Sequence, residues 1–209
     1  MQVRTGSEGR SFTASARRAQ IVAAAIDTIA ELGYGQASYA RIAERAGLSS
    51  TRLISYHFAD KRDLLAEIAR TVYQAGARYV LPRIEAERSG PGMLAACLRA
   101  NLEFLRDHAN HVAAVTEIAA NLRAEGELRS PGIGPGDEQI QRGIEAILRK
   151  GQADGDFADF DVPTVAWVIR HAIDGVQQRR AREPGFDFEA CIRELTEFFD
   201  RATTTKDPR

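Results

Sequence analysis

The sequence predicts an all-α protein, and three features of its pattern lead to that fold class. Apolar residues recur three or four positions apart in about nine segments of the 209-residue chain, as one face of a helix requires. Glycine, proline or a helix-capping Ser or Asp separates most of these segments. No alternation of apolar and polar residues is long enough to indicate a strand.

The predicted helices are connected by short segments. In order, they cover about residues 16–32, 39–45, 50–57, 60–86, 93–108, 109–123, 137–153, 161–182 and 187–202. The apolar stripes that predict them contain, in the same order, Ile21, Ile26 and Ile29; Ile42 and Ala46; Leu53; Leu64, Ile68 and Val72; Leu94, Leu98 and Leu102; Val115 and Ile118; Ile140, Ile144 and Leu148; Val165, Ile169 and Ile173; and Ile192, Leu195 and Phe199. Ser38, Asp60 and Asp161 are suited to cap the helices that they precede.

Segments rich in glycine, proline and hydroxyl residues are predicted to lie outside the helices. Residues 1–15 are predicted to be a flexible arm and residues 203–209 a frayed tail. Gly90-Pro91-Gly92 and residues 130–136 are predicted to be loops. Pro82 is predicted to kink or end its helix.

Composition excludes several classes of protein. The two cysteines cannot form a disulfide framework or a four-cysteine zinc site. No apolar run approaches the roughly 20 residues of a membrane helix, and the N-terminus lacks an apolar signal segment. A cytoplasmic protein without membrane contact is therefore expected. No nucleophile elbow, phosphate loop or His-Glu-x-x-His motif occurs, so neither an enzyme nor a cofactor is predicted.

Two groups of polar residues, a pair of histidines and a run of arginines, are better explained by their positions on helices than by binding sites. His108 and His111 lie three residues apart without convincing additional ligands, so surface or capping histidines are favoured over a metal site. Arg179-Arg180-x-Arg182 lies at a predicted helix C-terminus, where cations are favourable, and this favours a solvated helix end over a basic patch that binds a polyanion.

Residues 39–58 have the pattern of a helix-turn-helix. Ala43 permits close approach of the second helix, and Gly47 permits a left-handed turn. The apolar residues predicted to fill the wedge between the helices are Ile42, Ala46, Leu48, Leu53 and Tyr56. Residues 1–65 carry nine Lys/Arg and six Asp/Glu, a net charge of +3, whereas residues 66–209 carry −4. A basic N-terminal part is typical of contact with a polyanion.

The second of these helices presents short hydrogen-bond donors and one guanidinium, which can contact phosphates and base edges in a major groove. These residues are Ser49, Ser50, Thr51, Arg52, Ser55 and His57. The alternative is an ordinary helical hairpin with solvated hydroxyls. Short helices rich in hydroxyl residues are poor helix formers, which favours a functional reason for them.

Residues 17–65 resemble the TetR (tetracycline-repressor-like) family of bacterial transcriptional regulators. The matching motifs are Arg18-x-x-Ile21-x-x-Ala24-Ala25, Leu32-Gly33-Tyr34, Ile42-Ala43-x-x-Ala46-Gly47-Leu48-Ser49, Tyr56-His57-Phe58 and Lys61-x-x-Leu64-Leu65. The remainder of the chain matches more loosely, through the number and order of its helices. Between Gly47 and Phe58 the chain is one residue longer than the family's usual spacing, so the register of the recognition helix is defined to within one residue.

The resemblance implies an arm (1–15), a helix-turn-helix domain (16–60) and a larger helical domain (61–209) for ligand binding and dimerisation. It implies phosphate contacts for Ser38, Tyr39, Thr51, Tyr56, His57 and Lys61, and base contacts for Ser50, Arg52 and Ser55. It also implies that Tyr34 packs under the first turn. An aromatic residue that simply anchors a loop in the core is the alternative for Tyr34.

The resemblance also implies a homodimer formed by the last two helices. Their apolar stripes offer Val165, Ile169, Ala172, Ile173, Val176, Leu195, Phe198 and Phe199 as the interface. The alternative is that both stripes are buried inside one chain.

A ligand pocket is the third implication. It is expected between the helices of the large domain and lined by Asn101, Phe104, Leu105, Glu117, Ile118, Asn121, Ile144, Trp167 and His171. For Trp167, core packing is the favoured alternative. The few charges on these faces favour a largely apolar ligand with one hydrogen-bonding or cationic end near Glu117, and they disfavour a nucleotide.

The sequence therefore predicts a repressor that a small molecule releases from a palindromic operator on double-stranded DNA. Two alternatives stay open at this point. The first is a DNA-binding regulator of the same fold without an effector. The second is an all-α enzyme or binding module that has lost contact with DNA.

Overall fold

The structure is a computed structural model that describes residues 6–124, 135–183 and 185–204, of which 6–13, 135–137 and 181 are described by their backbone alone. Its α-helices are α1 Gly6–Leu32, α2 Tyr39–Arg45, α3 Arg52–His57, α4 Lys61–Glu85, α5 Gly90–Asp107, α6 Ala109–Ala124, α7 Pro135–Ala153, α8 Val162–Arg182 and α9 Phe188–Thr203. A 3₁₀ helix, Tyr34–Gln36, follows α1. Among these residues, β-type pairing is limited to one bridge between Phe157 and Thr204. The all-α class is confirmed.

The predicted helix caps are also confirmed. The Ser38 hydroxyl accepts a hydrogen bond from the Arg41 amide at 3.4 Å. The Asp60 carboxylate accepts one from the Asp63 amide at 2.8 Å, and Asp161 accepts one from the Thr164 amide at 3.1 Å. Each cap satisfies an amide that has no partner within its own helix.

Three predicted breaks lie inside helices instead. Backbone from Gly6 onward is already helical, so α1 includes residues 6–15 of the predicted arm. Gly90-Pro91-Gly92 forms the first turn of α5, because Ser89 caps it by accepting from the Gly92 amide at 3.2 Å and proline needs no hydrogen-bond partner there. Pro135 likewise opens α7. Residues 1–5, 130–134 and 205–209 of the predicted arm, loop and tail lie outside the described residues.

Pro82 does not end α4, since the helix continues to Glu85. No helix in the described part of the chain is long and apolar enough to cross a membrane.

The chain divides into two compact units. The first is Met1–Tyr73 with Asn110–Pro131, and the second is Gln74–Ala109 with Gly132–Arg209. This division differs from the predicted boundary at residue 60, because side chains of α4 and α6 bond to α1 and to the turn that follows it. Glu67 pairs with Arg18, at 3.6 Å, and the Asn110 amide donates to Asp27, at 2.9 Å.

The core of the second unit is built around α5, which packs against α7, α8 and α9. The ring of Phe157 is buried directly against Gly151 of α7, where a Cβ atom would lie 2.1 Å from a ring carbon. A Cβ atom on Gly90 would lie 2.8 Å from the Cα atom of Gly151. Because Gly90 and Gly151 lack side chains, α5, α7 and the Phe157 ring can pack in direct contact with one another's backbone.

Candidate nucleic-acid interface

The helix-turn-helix is formed by α2 and α3. Gly47 ends α2 in the left-handed conformation, with φ of 63°. The Leu48 amide donates to the Ala43 carbonyl at 2.8 Å, and the Gly47 amide donates to the Glu44 carbonyl at 3.0 Å. This pair of bonds is the Schellman motif, which satisfies the last carbonyls of a helix and fixes the direction of the chain that leaves it. The predicted role of Gly47 is confirmed.

The wedge between the two helices differs from the prediction at one residue. Ile42, Ala43, Ala46, Ile54 and Phe58 are buried. Tyr56, predicted to fill the wedge, is 81% exposed, and Ile54 is fully buried in its place. The prediction for Tyr56 is wrong because α3 turns Ile54 and Phe58, four residues apart, toward α1.

The polar surface of the motif consists largely of the residues predicted from the sequence. Exposed are Ser38, Ser49, Ser50, Thr51, Arg52, Ser55, Tyr56 and Lys61, and half-buried are Tyr39 and His57. All ten belong to the first unit. The Ser50 hydroxyl accepts a hydrogen bond from the Arg52 amide at 3.2 Å, so it supports the start of α3.

Two side chains of α1 hold the ends of both helices. The Gln20 amide donates to the Ala46 carbonyl at 2.6 Å, and Arg18 donates to the His57 carbonyl. The Arg18 guanidinium also lies 4.2 Å from the centre of the Phe58 ring. Because the last carbonyls of a helix have no partner within it, these contacts fix how α2 and α3 are held against α1.

Neither contact was predicted from the sequence, although Arg18 belongs to the motif that carries the family resemblance. Arg18 and His57 lie 39 residues apart in the sequence, and helical periodicity does not predict contacts between residues so far apart. The position of Arg18 one turn before the buried Ile21 is the signal that could have indicated an inward-reaching arginine.

His57, the last residue of α3, and Tyr39, the first residue of α2, both have shifted pKa values that favour the neutral form. Burial, with the nearby Arg18 and Arg17, lowers the pKa of His57. Burial, with Asp60 and Asp63 nearby, raises the pKa of Tyr39. The Tyr39 hydroxyl is buried and has no hydrogen-bond partner among the described residues. A neutral His57 adds no charge, so Arg52 and Lys61 supply the positive charge among the ten residues.

Replacing Arg18 with lysine is expected to weaken DNA binding about three- to tenfold, on the order of 1 kcal/mol. Lysine keeps the charge but cannot both stack on Phe58 and bond to the His57 carbonyl, so α3 loses its support. Fluorescence anisotropy with labelled duplex DNA measures the affinity. The Arg149→Lys variant of the second unit is the control, and equal affinities for the two variants would contradict this role of Arg18.

The nine predicted pocket residues are divided between the two units. Glu117, Ile118 and Asn121 belong to the first unit. The second unit contains the other six: Asn101, Phe104, Leu105, Ile144, Trp167 and His171. The structure therefore does not bring the nine residues together within one unit.

The apolar members of this set differ in burial. Phe104, Ile118 and Ile144 are buried, whereas Trp167 is 54% exposed and lies against His171, with 4.0 Å between the ring centres. Both side chains lie at the surface of the described chain, so core packing, the favoured alternative for Trp167, is wrong, and a place for Trp167 and His171 in a ligand pocket stays a prediction.

The polar members of the set bond mainly to backbone. The Asn101 amide donates to the Cys97 carbonyl and the Asn121 amide to the Glu117 carbonyl, both at 2.8 Å. The Glu117 carboxylate accepts a hydrogen bond from the Tyr34 amide at 3.4 Å. The described residues contain no group of three or more His, Cys, Asp or Glu that could hold a metal ion.

The predicted dimer interface is largely occupied by the chain itself. Ile169, Ile173, Val176 and Phe199 are buried in the core of the second unit. Half-buried are Val165, Ala172 and Leu195. These four side chains already pack in the core of their own chain, so they offer little surface to a second copy, and the interface stays a prediction.

The same two helices nevertheless expose apolar surface, at Phe198 of the predicted set and at two residues outside it, Trp167 and Val168. Trp167 is 54%, Val168 42% and Phe198 55% exposed. The Arg179–Arg182 run lies at the end of α8, where Arg179 pairs with Glu183 at 2.9 Å and Arg180 donates to the Leu105 carbonyl at 2.7 Å. These bonds within the chain favour the helix-end interpretation of the run.

Comparison with known proteins finds a family match in the N-terminal region. Residues 21–68 match the family model of bacterial regulatory proteins, tetR family. The HTH-type transcriptional regulator BetI of Klebsiella pneumoniae (strain 342) is 40% identical over 74 residues. That alignment covers 35% of this chain and 37% of the relative, so the chain matches little more than a third of the relative's length.

Solved structures share the fold over most of the chain. The ketosteroid transcriptional regulator KstR2 of Mycobacterium tuberculosis aligns with a TM-score of 0.70 at 20% identity, covering 91% of this chain and 96% of that chain. AibR in complex with isovaleryl coenzyme A and operator DNA aligns with a TM-score of 0.71 at 17% identity, covering 87% and 97%. The matched residues 21–68 run from the middle of α1 through both helices of the helix-turn-helix into α4. By that match residues 21–68 of this chain are similar to the tetR family of bacterial regulatory proteins.

Proposed function

We propose that this chain is a sequence-specific DNA-binding transcriptional regulator, a repressor that a small, largely apolar ligand releases from a palindromic operator. The observation that carries the proposal is the exposed polar surface of α3, with Arg52 pointing out and the buried Ile54 and Phe58 holding the helix from behind. A short helix exposed in this way can enter a major groove.

The two positive side chains of this surface have different proposed roles. Arg52 is the guanidinium on α3 and can bind a guanine by two hydrogen bonds, which specifies sequence. Lys61 begins α4, and its compact ammonium suits a phosphate, which adds affinity for any sequence.

Arg52→Ala is expected to cost about 1–3 kcal/mol on the operator and to relax sequence preference. Lys61→Ala is expected to weaken binding to all sequences similarly and to flatten the salt dependence. Gel-shift titrations on operator and random duplexes over a salt series distinguish the two. Equal losses on both duplexes for Arg52→Ala would contradict its role in sequence readout.

The proposed regulator is a homodimer, since a palindrome presents two identical half-sites. Two recognition helices roughly 34–36 Å apart, or somewhat more, would then enter successive major grooves. The exposed apolar side chains of Trp167, Val168 and Phe198 on α8 and α9 support this assembly, because large exposed apolar groups are often part of an interface. The proposed action is in the cytoplasm and involves no catalysis.

Release by a ligand is proposed as a shift between two dimer geometries. The name of KstR2 refers to ketosteroids, and AibR is described with both an acyl coenzyme A and operator DNA, so chains of this fold combine the two kinds of partner. To empty most operators, the ligand must prefer the geometry that does not bind DNA by several kcal/mol.

A regulator of the same fold without an effector is the second candidate. The surface positions of Trp167 and His171 favour this second candidate, because two side chains expected to line the pocket are exposed instead. An open groove of about 740 Å³ does lie in the second unit, but charged residues such as Arg179, Glu183 and Asp187 line it. Thermal-shift screening with apolar compounds, followed by release of operator DNA, decides between the candidates. A complete absence of hits would favour the second.

A further inference from the structure

We propose that Tyr34 positions the Lys61 ammonium for its contact with a DNA phosphate, and that Glu117 of α6 in turn positions Tyr34. This inference rests on the proposed DNA-binding function. Tyr34 is buried, at 8% exposure, so it acts through Lys61 and does not touch the phosphate itself. All three residues belong to the first unit.

The contact between Lys61 and Tyr34 is a cation–π interaction. The Lys61 Nζ atom lies 3.8 Å from the centre of the Tyr34 ring, well within the distance of about 6 Å over which a ring attracts an ammonium group. An exposed lysine otherwise samples many rotamers, and it loses that freedom when it binds a phosphate. A fixed ring beneath the ammonium removes part of this cost before DNA arrives.

The position of the ring is set by the turn in which Tyr34 lies. Gly33 precedes it with φ of 80°, a conformation that favours glycine, and the 3₁₀ helix Tyr34–Gln36 follows. The Tyr34 amide donates to a Glu117 carboxylate oxygen at 3.4 Å. A Cβ atom on Gly33 would lie 3.7 Å from the same oxygen. The carboxylate of Glu117 is thus placed directly against this turn.

A second contact holds α6 to α1 near the same turn. The Asn110 amide donates to the Asp27 carboxylate at 2.9 Å. The two contacts lie two turns apart along α6 and fix its position relative to the end of α1. The phosphate contact of Lys61 therefore depends on α6 through one carboxylate, one backbone amide and one aromatic ring.

The competing explanation is that Tyr34 is a core aromatic residue whose contact with Lys61 has no consequence for DNA. Under that explanation, removal of the ring changes stability but leaves the number of phosphate contacts unchanged. The salt dependence of binding separates the two explanations, because the slope of log K against log[salt] falls by about 0.9 for each lost contact between a cation and a phosphate.

The experiment measures binding to a fluorescent random-sequence duplex of about 30 base pairs, long enough for two successive major grooves on one face, over a sodium chloride series. The variants are Lys61→Ala, Tyr34→Leu, Tyr34→Phe, Glu117→Ala, Glu117→Gln and the Lys61→Ala/Tyr34→Leu double variant. Tyr34→Phe keeps the ring, and Glu117→Gln keeps an acceptor oxygen.

We expect Tyr34→Leu to lower the slope by more than half as much as Lys61→Ala and to add little when Lys61 is already alanine. Glu117→Ala is expected to lower it in the same direction, whereas Tyr34→Phe and Glu117→Gln retain most of the wild-type slope. An unchanged slope for Tyr34→Leu, or an undiminished effect in the Lys61→Ala background, would overturn the proposal. Wild-type protein that fails to bind the duplex even at low salt would instead overturn the DNA-binding function.

A measurement on the free protein keeps the proposal testable without DNA. In the wild type, the Cε protons of Lys61 should resonate upfield of their usual NMR position because they lie over the Tyr34 ring. Tyr34→Leu should abolish this shift and Glu117→Ala should reduce it. If Tyr34→Leu does not fold, Glu117→Ala tests the proposal in both experiments, and unchanged values in both would reject it.

Discussion

Replacing Gly151 with alanine is expected to destabilise the folded chain by at least about 3 kcal/mol, the upper end of the usual cost of overpacking a core. The added Cβ atom would lie 2.1 Å from a carbon of the Phe157 ring. That ring is only 4% exposed, so it cannot move aside into solvent. Gly90 of α5 approaches the Gly151 backbone closely, so α7 has little room to shift toward α5.

Differential scanning calorimetry measures this effect as a midpoint lowered by about 6–12 °C, since each kcal/mol shifts a chain of this size by about 2–4 °C. Gly143→Ala, in the exposed middle of the same helix, is the matched control. Outside the helix's own nearby backbone, no atom of the described residues lies within 4 Å of its Cβ position, so alanine there should stabilise α7 by up to about 1 kcal/mol. A Gly151→Ala variant as stable as the wild type would contradict the described packing of α5, α7 and Phe157.

Replacing Trp167 with glutamate is expected to convert the proposed dimer to monomers and to lower operator affinity by about a hundredfold or more, the scale on which linking two binding modules raises affinity. Trp167 of α8 and Phe198 of α9 are both more than half exposed in the second unit. A carboxylate on this face would have to be buried against the second copy without a partner, which is strongly unfavourable.

Sedimentation equilibrium and gel shifts measure the two effects on the same samples. Leu81→Glu is the control, since Leu81 is a 49% exposed apolar residue of α4, away from α8 and α9 in sequence. The Leu81→Glu variant should remain a dimer. A wild-type chain that is monomeric at micromolar concentration, or a Trp167→Glu variant that remains dimeric, would contradict the proposed interface.

Val176→Glu, which the sequence pattern alone suggests as the variant that separates the subunits, is unsuited to that purpose. Val176 is 6% exposed inside the core of its own chain. A buried carboxylate there would destabilise the chain itself, and a loss of DNA binding would then report unfolding.

The sequence predicted most of the fold because helix formation is governed by local signals. Periodic apolar positions and the caps at Ser38, Asp60 and Asp161 are encoded within a few residues of each helix. Gly90-Pro91-Gly92 was misjudged because the same residues that break a helix are tolerated in its first turn, and Ser89 supplies the cap that decides between these outcomes.

The sites were predictable to the extent that exposure follows from helical spacing. The polar face of α3 was found in this way, and Ile54 was missed in favour of Tyr56 because a six-residue helix contains too few turns to fix its rotation. Spacing also cannot tell whether a buried stripe packs against its own chain, as Ile169 and Ile173 do, or against a second copy. The supporting contacts of Arg18 and Gln20 join residues 39 and 26 positions apart and arise only when the chain is folded.

The most direct test of the central claim, sequence-specific DNA binding through α3, is quantitative footprinting of the wild-type protein on DNA from the region of its own gene. The account predicts protection of a palindrome, with half-sites on one face of the duplex and affinity about a thousandfold or more above that for a shuffled duplex. The Arg52→Ala variant should lose most of that preference while it still binds at low salt. Equal affinity of the wild type for the palindrome and the shuffled duplex across the salt series would contradict the account.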